Sequence, residues 1–202
     1  MAIPKIILLT GRDEAPPLIR MLRRSDAALP IEPAHDLAAL MNAAQPGARL
    51  LSFCSAVIAP AAVLAALGTP GYNFHPGPPE RPGRFPAVFA LFEGAQRFGI
   101  TVHEMAPRVD AGPIVVSERF DIPPACDLAT LEGLAMTKLA EAFKRLAPYF
   151  TSVARPLPHL PVSWQGRKTA RAECEQLCAV TPDMDAAEIE RRRRCCGTLM
   201  GI

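Results

Sequence analysis

The sequence lacks any long apolar run. No stretch approaches the roughly 18 residues that a membrane span requires. The opening MAIPKIILLTGRDE carries only the short apolar run Ile6 to Leu9 before charges appear, so it does not read as a signal peptide. Charge of one sign is also lacking. With 22 basic and 20 acidic residues the net charge is +2, and neither nucleic acid nor a membrane is expected as a partner. There is no internal repeat. The six cysteines, Cys54, Cys126, Cys174, Cys178, Cys195 and Cys196, follow no standard metal-ligand pattern. Cys174 and Cys178 stand four apart and can share a helix face, but all six are expected as free thiols in a reducing, cytoplasmic compartment, and no metal is expected. Finally, Gly11 after the first apolar run stands alone, without the glycine-rich loop that cradles a phosphate.

What is present is a chain of 202 residues, half of them hydrophobic, enough for a sizeable core. KIILLT (5–10) and RLLSFC (49–54) read as buried parallel strands. Helices are expected over 14–24, with Pro16 and Pro17 in the first turn, over 36–44 capped by Asp36, over 60–67 ended by Gly68, and over 86–94. Short strands are expected at 72–75, 99–105 and 114–120, the last two as an antiparallel pair. The longest amphipathic helix covers 128–150, interrupted at Pro148. This alternation predicts an α/β, Rossmann-like fold with a mostly parallel central sheet and flanking helices. Its N-terminal half is short: about 38 residues separate the first strand from 49–54, fewer than a full nucleotide-binding βαβαβ half usually takes. Residues 1–150 are read as one domain and 151–202 as an extension. The extension holds a Pro-rich connector (155-RPLPHLP-161), a basic patch (167-RKTARAE-173) and a last helix over 186–196, capped near Asp183 or Asp185. The run Arg191–Arg194 reads as a solvated helix face.

Two segments carry chemistry. In 71-GYNFHPGPPERPGRFP-86, Asn73 and His75 stand two apart on an extended stretch, so their side chains project to one side. A turn stiffened by Pro76, Pro78, Pro79 and Pro82 follows. An amide donor beside an imidazole can hold a developing oxyanion, and the imidazole can move protons. In 98-FGITVHEMAPRVDAGPIVVSERFDIP-123, Asp110 lies on a turn between two strands, where a carboxylate can reach and orient a neighbouring imidazole. His103, on the same strand face as Thr101 and Met105, reads as a packed or hydrogen-bonded residue.

Together, Asn73-Phe74-His75-Pro76, Phe98-Gly99-Ile100-Thr101-Val102-His103 and Asp110-Ala111-Gly112-Pro113-Ile114 resemble the formyltransferase family over roughly residues 49–146. That family includes glycinamide ribonucleotide, methionyl-tRNA and sugar N-formyltransferases. The resemblance implies a formyltransferase catalytic domain over 1–150, with Asn73, His75 and Asp110 as the catalytic trio. It further implies N10-formyltetrahydrofolate as formyl donor and a small-molecule amine, an amino sugar among them, as acceptor. By the same resemblance the pterin would be held by Ser55, Ala56, Val57 and Ile58 and by Arg108 and Val109. The loop Gly77–Gly83 departs from the family's Ser-Leu-Leu-Pro, on the acceptor side. The lone Gly11 argues against a glycinamide ribonucleotide acceptor, and the length after Thr151 against a large RNA-binding barrel. Trp164, Arg167 and Lys168 resemble residues after the catalytic core of sugar N-formyltransferases, where they would line an acceptor cleft or pin the tail. The alternatives are a formyltetrahydrofolate hydrolase, in which water replaces the amine, and an idle folate-binding or scaffold module. A homodimer is compatible with this reading, which does not fix the oligomeric state.

Overall fold

The structure is a computed structural model that describes residues 3–152 and 154–200. Met1 and Ala2, which open the segment read above as no signal peptide, lie outside the described residues. So do Val153, Gly201 and Ile202 of the expected extension. Six strands form one sheet in the order β2-β1-β3-β4-β5-β6: β1 (Ile6–Leu9), β2 (Ile31–Ala34), β3 (Arg49–Phe53), β4 (Tyr72–His75), β5 (Arg97–Glu104) and β6 (Ile114–Asp121). The helices are α1 (Ala15–Ser25), α2 (Leu37–Ala43), α3 (Ala61–Leu67), α4 (Pro86–Phe92), α5 (Leu128–Ser152), α6 (Arg171–Cys178) and α7 (Ala186–Cys196). The first four strands in the sheet order run parallel, with Ile6 opposite both Ile31 and Arg49, and Leu51 opposite Tyr72. β5 then runs against β4, and β6 against β5. Met105 donates its amide to Gly71 O while Asn73 meets His103, so numbers fall along β5 as they rise along β4. Glu104 N to Pro113 O and Ile122 N to Gln96 O set the same opposition between β5 and β6. The fold is therefore α/β, with a mixed, largely parallel sheet flanked by helices.

Local chemistry accounts for most element ends. Pro16 and Pro17 sit in the first turn of α1, where a missing N–H costs no helical bond. The Asp36 carboxylate accepts from Ala39 N at 2.8 Å and starts α2. Gly68, at φ +63°, ends α3. Two expectations are corrected. The front half is short because its elements are short, yet β1-α1-β2-α2-β3 is complete; β2 carries little sequence signal because it has four residues and contains Pro33, which an edge strand tolerates. Pro148 does not interrupt α5, which runs on to Ser152. Ser152 Oγ donates to Pro148 O at 2.7 Å and helps close that last turn.

The chain divides into two compact units. The first comprises Met1–His75, Val102–Val116 and Leu139–Ser163. On one sheet face Ile7, Leu9 and Leu50 pack with Leu40, Val63 and Leu67 of α2 and α3. Strand alternation sends Phe53, Tyr72 and Phe74 to the opposite face. There the Phe74 ring lies 5.0 Å from Phe143 and the Tyr72 ring 5.1 Å from Phe150, both on α5. Such pairs add about 0.5–1.5 kcal/mol each beyond their buried area. Arg49 is fully buried among these rings, 5.7–5.9 Å from Tyr72, Tyr149 and Phe150. Its Nη1 donates to Phe150 O at 3.2 Å, capping the C-terminal end of α5.

The second unit comprises Pro76–Thr101, Ser117–Lys138 and Trp164–Ile202. Its proline-rich turn is bonded on two sides. Thr101 Oγ1 donates to Gly77 O at 2.8 Å, while Gln165 N donates to Pro79 O and Thr169 N to Pro82 O. A Cβ on Gly83, at φ +98°, would overlap the Thr169 carbonyl oxygen, so this approach requires glycine. The arginine run is not simply a solvated face. Arg191 lies over the Phe92 ring at 3.9 Å, and Arg192 donates to Leu177 O and Ala179 O, capping α6. Nor are all cysteines free: Cys178 and Cys196 are joined by a disulfide, whereas Cys54, Cys126, Cys174 and Cys195 are thiols.

Candidate active site

Asn73 and His75 occupy alternate positions on β4, opposite in direction to Tyr72 and Phe74. The aromatic pair anchors the strand in the core and leaves the polar pair on the other face. Asp110 stands in the connection between β5 and β6, at φ +45°. A left-handed aspartate costs of order 1 kcal/mol. The reason the next-but-one residue is glycine is steric: a Cβ on Gly112 would overlap the Glu104 carbonyl oxygen. That contact, with Glu104 N donating to Pro113 O at 2.9 Å, presses the connection onto the end of β5 and fixes Asp110.

The polar side chains form a chain of close approaches. Asn73 Nδ2 donates to His103 Nε2 at 3.1 Å. Asp110 Oδ1 lies 3.3 Å from the same nitrogen, and Asp110 Oδ2 lies 3.8 Å from His75 Nδ1. His75, His103 and Asp110 are only 3–5% exposed. The last separation is an ion-pair distance, longer than a hydrogen bond. The three expected residues are thus brought into one network.

His103 is buried and hydrogen-bonded, as its strand pattern indicates, but it also links Asn73 to Asp110, which the sequence did not reveal. Its Nδ1 lies 2.8 Å from Glu104 O, an atom that only accepts, so Nδ1 carries a proton. Nε2 then faces an amide donor and a carboxylate at once. Uncharged, it accepts from Asn73; protonated, it can donate to Asp110. The amide's orientation is tied to the position of the site's proton. The readable signal was the alternation Thr101-x-His103, which puts His103 on the face that meets Asn73.

The segment Ser55–Ile58 follows β3, and Val57 N donates to Ser55 Oγ at 3.1 Å in a local turn. Ile58 is 60% exposed and Val109 41%, large apolar side chains left at the surface. Arg108 is exposed as well. Arg167 pairs with Glu173, and Trp164 is half-buried at the head of the segment bonded to the proline turn. Among the described residues no group of His, Cys, Asp or Glu is placed to hold a metal ion, and no helix is long and apolar enough to cross a membrane.

The formyl transferase family model matches residues 11–144, more than half of the chain, and the chain belongs to that family. Formyl-group transfer is the general chemistry of its members. Among solved structures, an uncharacterised protein from Mycobacterium tuberculosis with a provisional assignment as a sugar N-formyltransferase is 21% identical, with 96% of this chain and 87% of that chain covered, at a TM-score of 0.75. An N-formyltransferase from Helicobacter canadensis, in complex with folinic acid and dTDP-3-aminofucose, is 14% identical over 96% of this chain and 80% of that chain, at 0.68. HypX from Aquifex aeolicus, in complex with tetrahydrofolic acid, is 18% identical over 96% of this chain and 34% of its own, at 0.60. At such identities the likeness is one of fold.

Proposed function

We propose that this chain transfers the formyl group of N10-formyltetrahydrofolate to a primary amine of a small acceptor, with an amino sugar as the favoured class. The observation that carries the reading is the Asn73–His103–Asp110–His75 chain, buried but for the half-buried Asn73, which suits attack of an amine on a formyl carbon. One Nδ2 hydrogen of Asn73 is used on His103, which directs the second toward the formyl oxygen. His75, paired through Nδ1 with Asp110, presents its Nε2 side to that same oxygen as charge develops there. As the amine nitrogen bonds to the formyl carbon it loses a proton, which passes to the Asp110–His75 pair. The carbon–N10 bond then breaks, and N10 takes a proton back. Formamide and tetrahydrofolate leave, and every proton is accounted for.

Ser55, Ala56, Val57 and Ile58, with Arg108 and Val109, are assigned to the pterin. The support is the exposed apolar pair Ile58 and Val109, and the folate ligands carried by two structures of the same fold. The amino-sugar preference is supported by the dTDP-3-aminofucose in complex with the Helicobacter protein. The test is calorimetric titration with a stable N10-formyl-folate analogue, then turnover against a panel of amines that includes nucleotide-linked amino sugars. Binding with formamide production in step with folate release is expected. Formate release without any amine would replace the reading by a hydrolase, and no binding up to millimolar analogue would overturn it.

A further inference from the structure

The C-terminal half of the second unit gathers four sulfurs that formyl transfer does not use. Cys174 and Cys178 lie one turn apart on α6 with sulfurs 3.9 Å apart, and Cys195 and Cys196 end α7 with sulfurs 3.7 Å apart. The disulfide Cys178–Cys196 joins the two pairs, its Cα atoms 5.6 Å apart. All four side chains are buried. They differ in approach, however. A shallow, half-open cleft with a volume of about 30 Å³ is lined by Phe85, Arg171, Cys174, Glu175, Cys178 and Leu199. Both cysteines of α6 line it, and neither of α7 does.

We propose that Cys178–Cys196 is an exchangeable crosslink between α6 and α7, opened by small thiols whose sulfur approaches Cys178 at this cleft, with Cys174 as the resolving thiol. The incoming thiolate bonds to Cys178 Sγ. The Cys178–Cys196 bond breaks, and its electron pair leaves on Cys196 sulfur, which takes a proton. The mixed disulfide at Cys178 then has Cys174 beside it. Attack by Cys174 on Cys178 Sγ releases the small thiol and leaves a Cys174–Cys178 bond; attack by a second small thiol on its own kind releases both cysteines reduced. The complete opening moves two electrons from two small thiols, which leave as their disulfide. Burial pushes the Cys174 thiol up to about 11, with the Glu175 carboxylate adding to it. Attack therefore starts from the incoming thiol, and Cys174 acts only once a mixed disulfide is beside it. The Arg171–Glu175 pair at the cleft, 2.7 Å apart, offers both charges to a zwitterionic thiol peptide. The proposal stands apart from the formyl-transfer reading and uses none of its residues.

The test is equilibration of the intact chain in reduced and oxidised glutathione over a range of ratios, acid quench, differential alkylation and peptide mapping. Expected is a reversible Cys178–Cys196 bond. In Cys174→Ser, glutathione is expected to accumulate on Cys178 several-fold over wild type. Hydrogen exchange on the wild type is the parallel readout and needs no variant to fold. Amides of α6 and α7 are expected to exchange roughly a hundredfold faster once reduced, the scale for opening a loop of this length. The proposal is overturned if oxidised glutathione never closes the bond, or if glutathione is found on Cys195 or Cys196 instead. Protection of α6 and α7 unchanged by reduction, or a bound zinc ion with all four thiols shielded, would overturn it equally.

Discussion

Asp110 stands where backbone and side chain are both constrained: a positive φ, a buried carboxylate, and an imidazole on each oxygen. Asparagine accepts the same left-handed backbone and nearly the same volume. Asp110→Asn is therefore expected to keep its melting temperature within a few degrees while kcat/KM falls about 10²–10⁴-fold, the range for losing a positioned acid–base group. His75→Ala is expected to match it. A loss confined to KM in either variant would place the residue in binding and not in proton transfer. Gly112→Ala is the contrasting case. Its methyl would meet the Glu104 carbonyl, so the connection must move, and a loss of about 2 kcal/mol or more in urea denaturation is expected together with activity. Stability unchanged in that variant would mean the approach to β5 is looser than the structure has it.

At the scale of elements, Arg49 is the residue whose removal reads out most. It joins the first position of β3 to the C-terminal end of α5 through Phe150 O, and three rings close around it. Its Nε has no hydrogen-bond partner among the described residues, and burial lowers its affinity for the proton. The guanidinium is held by stacking and carbonyls, and among the described residues no carboxylate forms an ion pair with it. Arg49→Ala is expected to cost about 2–4 kcal/mol, since it empties a packed site and uncaps the helix. Arg49→Lys should recover little, because an ammonium neither stacks on three rings nor forks to the carbonyls. Substantial recovery by lysine, seen as a restored urea midpoint, would show that charge alone is sufficient. Phe143→Ala, which removes a ring packed on both Phe53 and Phe74, is expected to cost about 3–5 kcal/mol.

Over the whole molecule, what the sequence made legible follows from the range of the interactions involved. Strands β1 and β3 are written in contiguous apolar runs, β4 in the alternation of Tyr72 and Phe74 with Asn73 and His75, and the capped helices in their boundary residues. Asn73, His75 and Asp110 are legible because their spacing and flanking prolines and glycine form a compact signature. The link through His103 is not, because it depends on which strand lies beside β4. Neither is Arg49, whose partners are about a hundred residues away. The Cys178–Cys196 bond is not legible for the same reason: α6 and α7 meet only in three dimensions. Residues 164–202 show this most plainly. They look like a basic, cysteine-bearing tail, yet they supply α6, α7 and the segment bonded to the proline turn, and Arg191 of α7 stacks on Phe92 at the end of α4. A chain ending at Ser163 would leave α4 without that partner, and the carbonyls of Pro79 and Pro82 without Gln165 and Thr169. Its amides over Pro86–Phe92 are expected to lose hydrogen-exchange protection to near the level of an unfolded chain, while those of β1 and β3 in the other unit retain theirs. Retained protection in α4 of the shortened chain would show that the remainder of the second unit folds without its C-terminal helices.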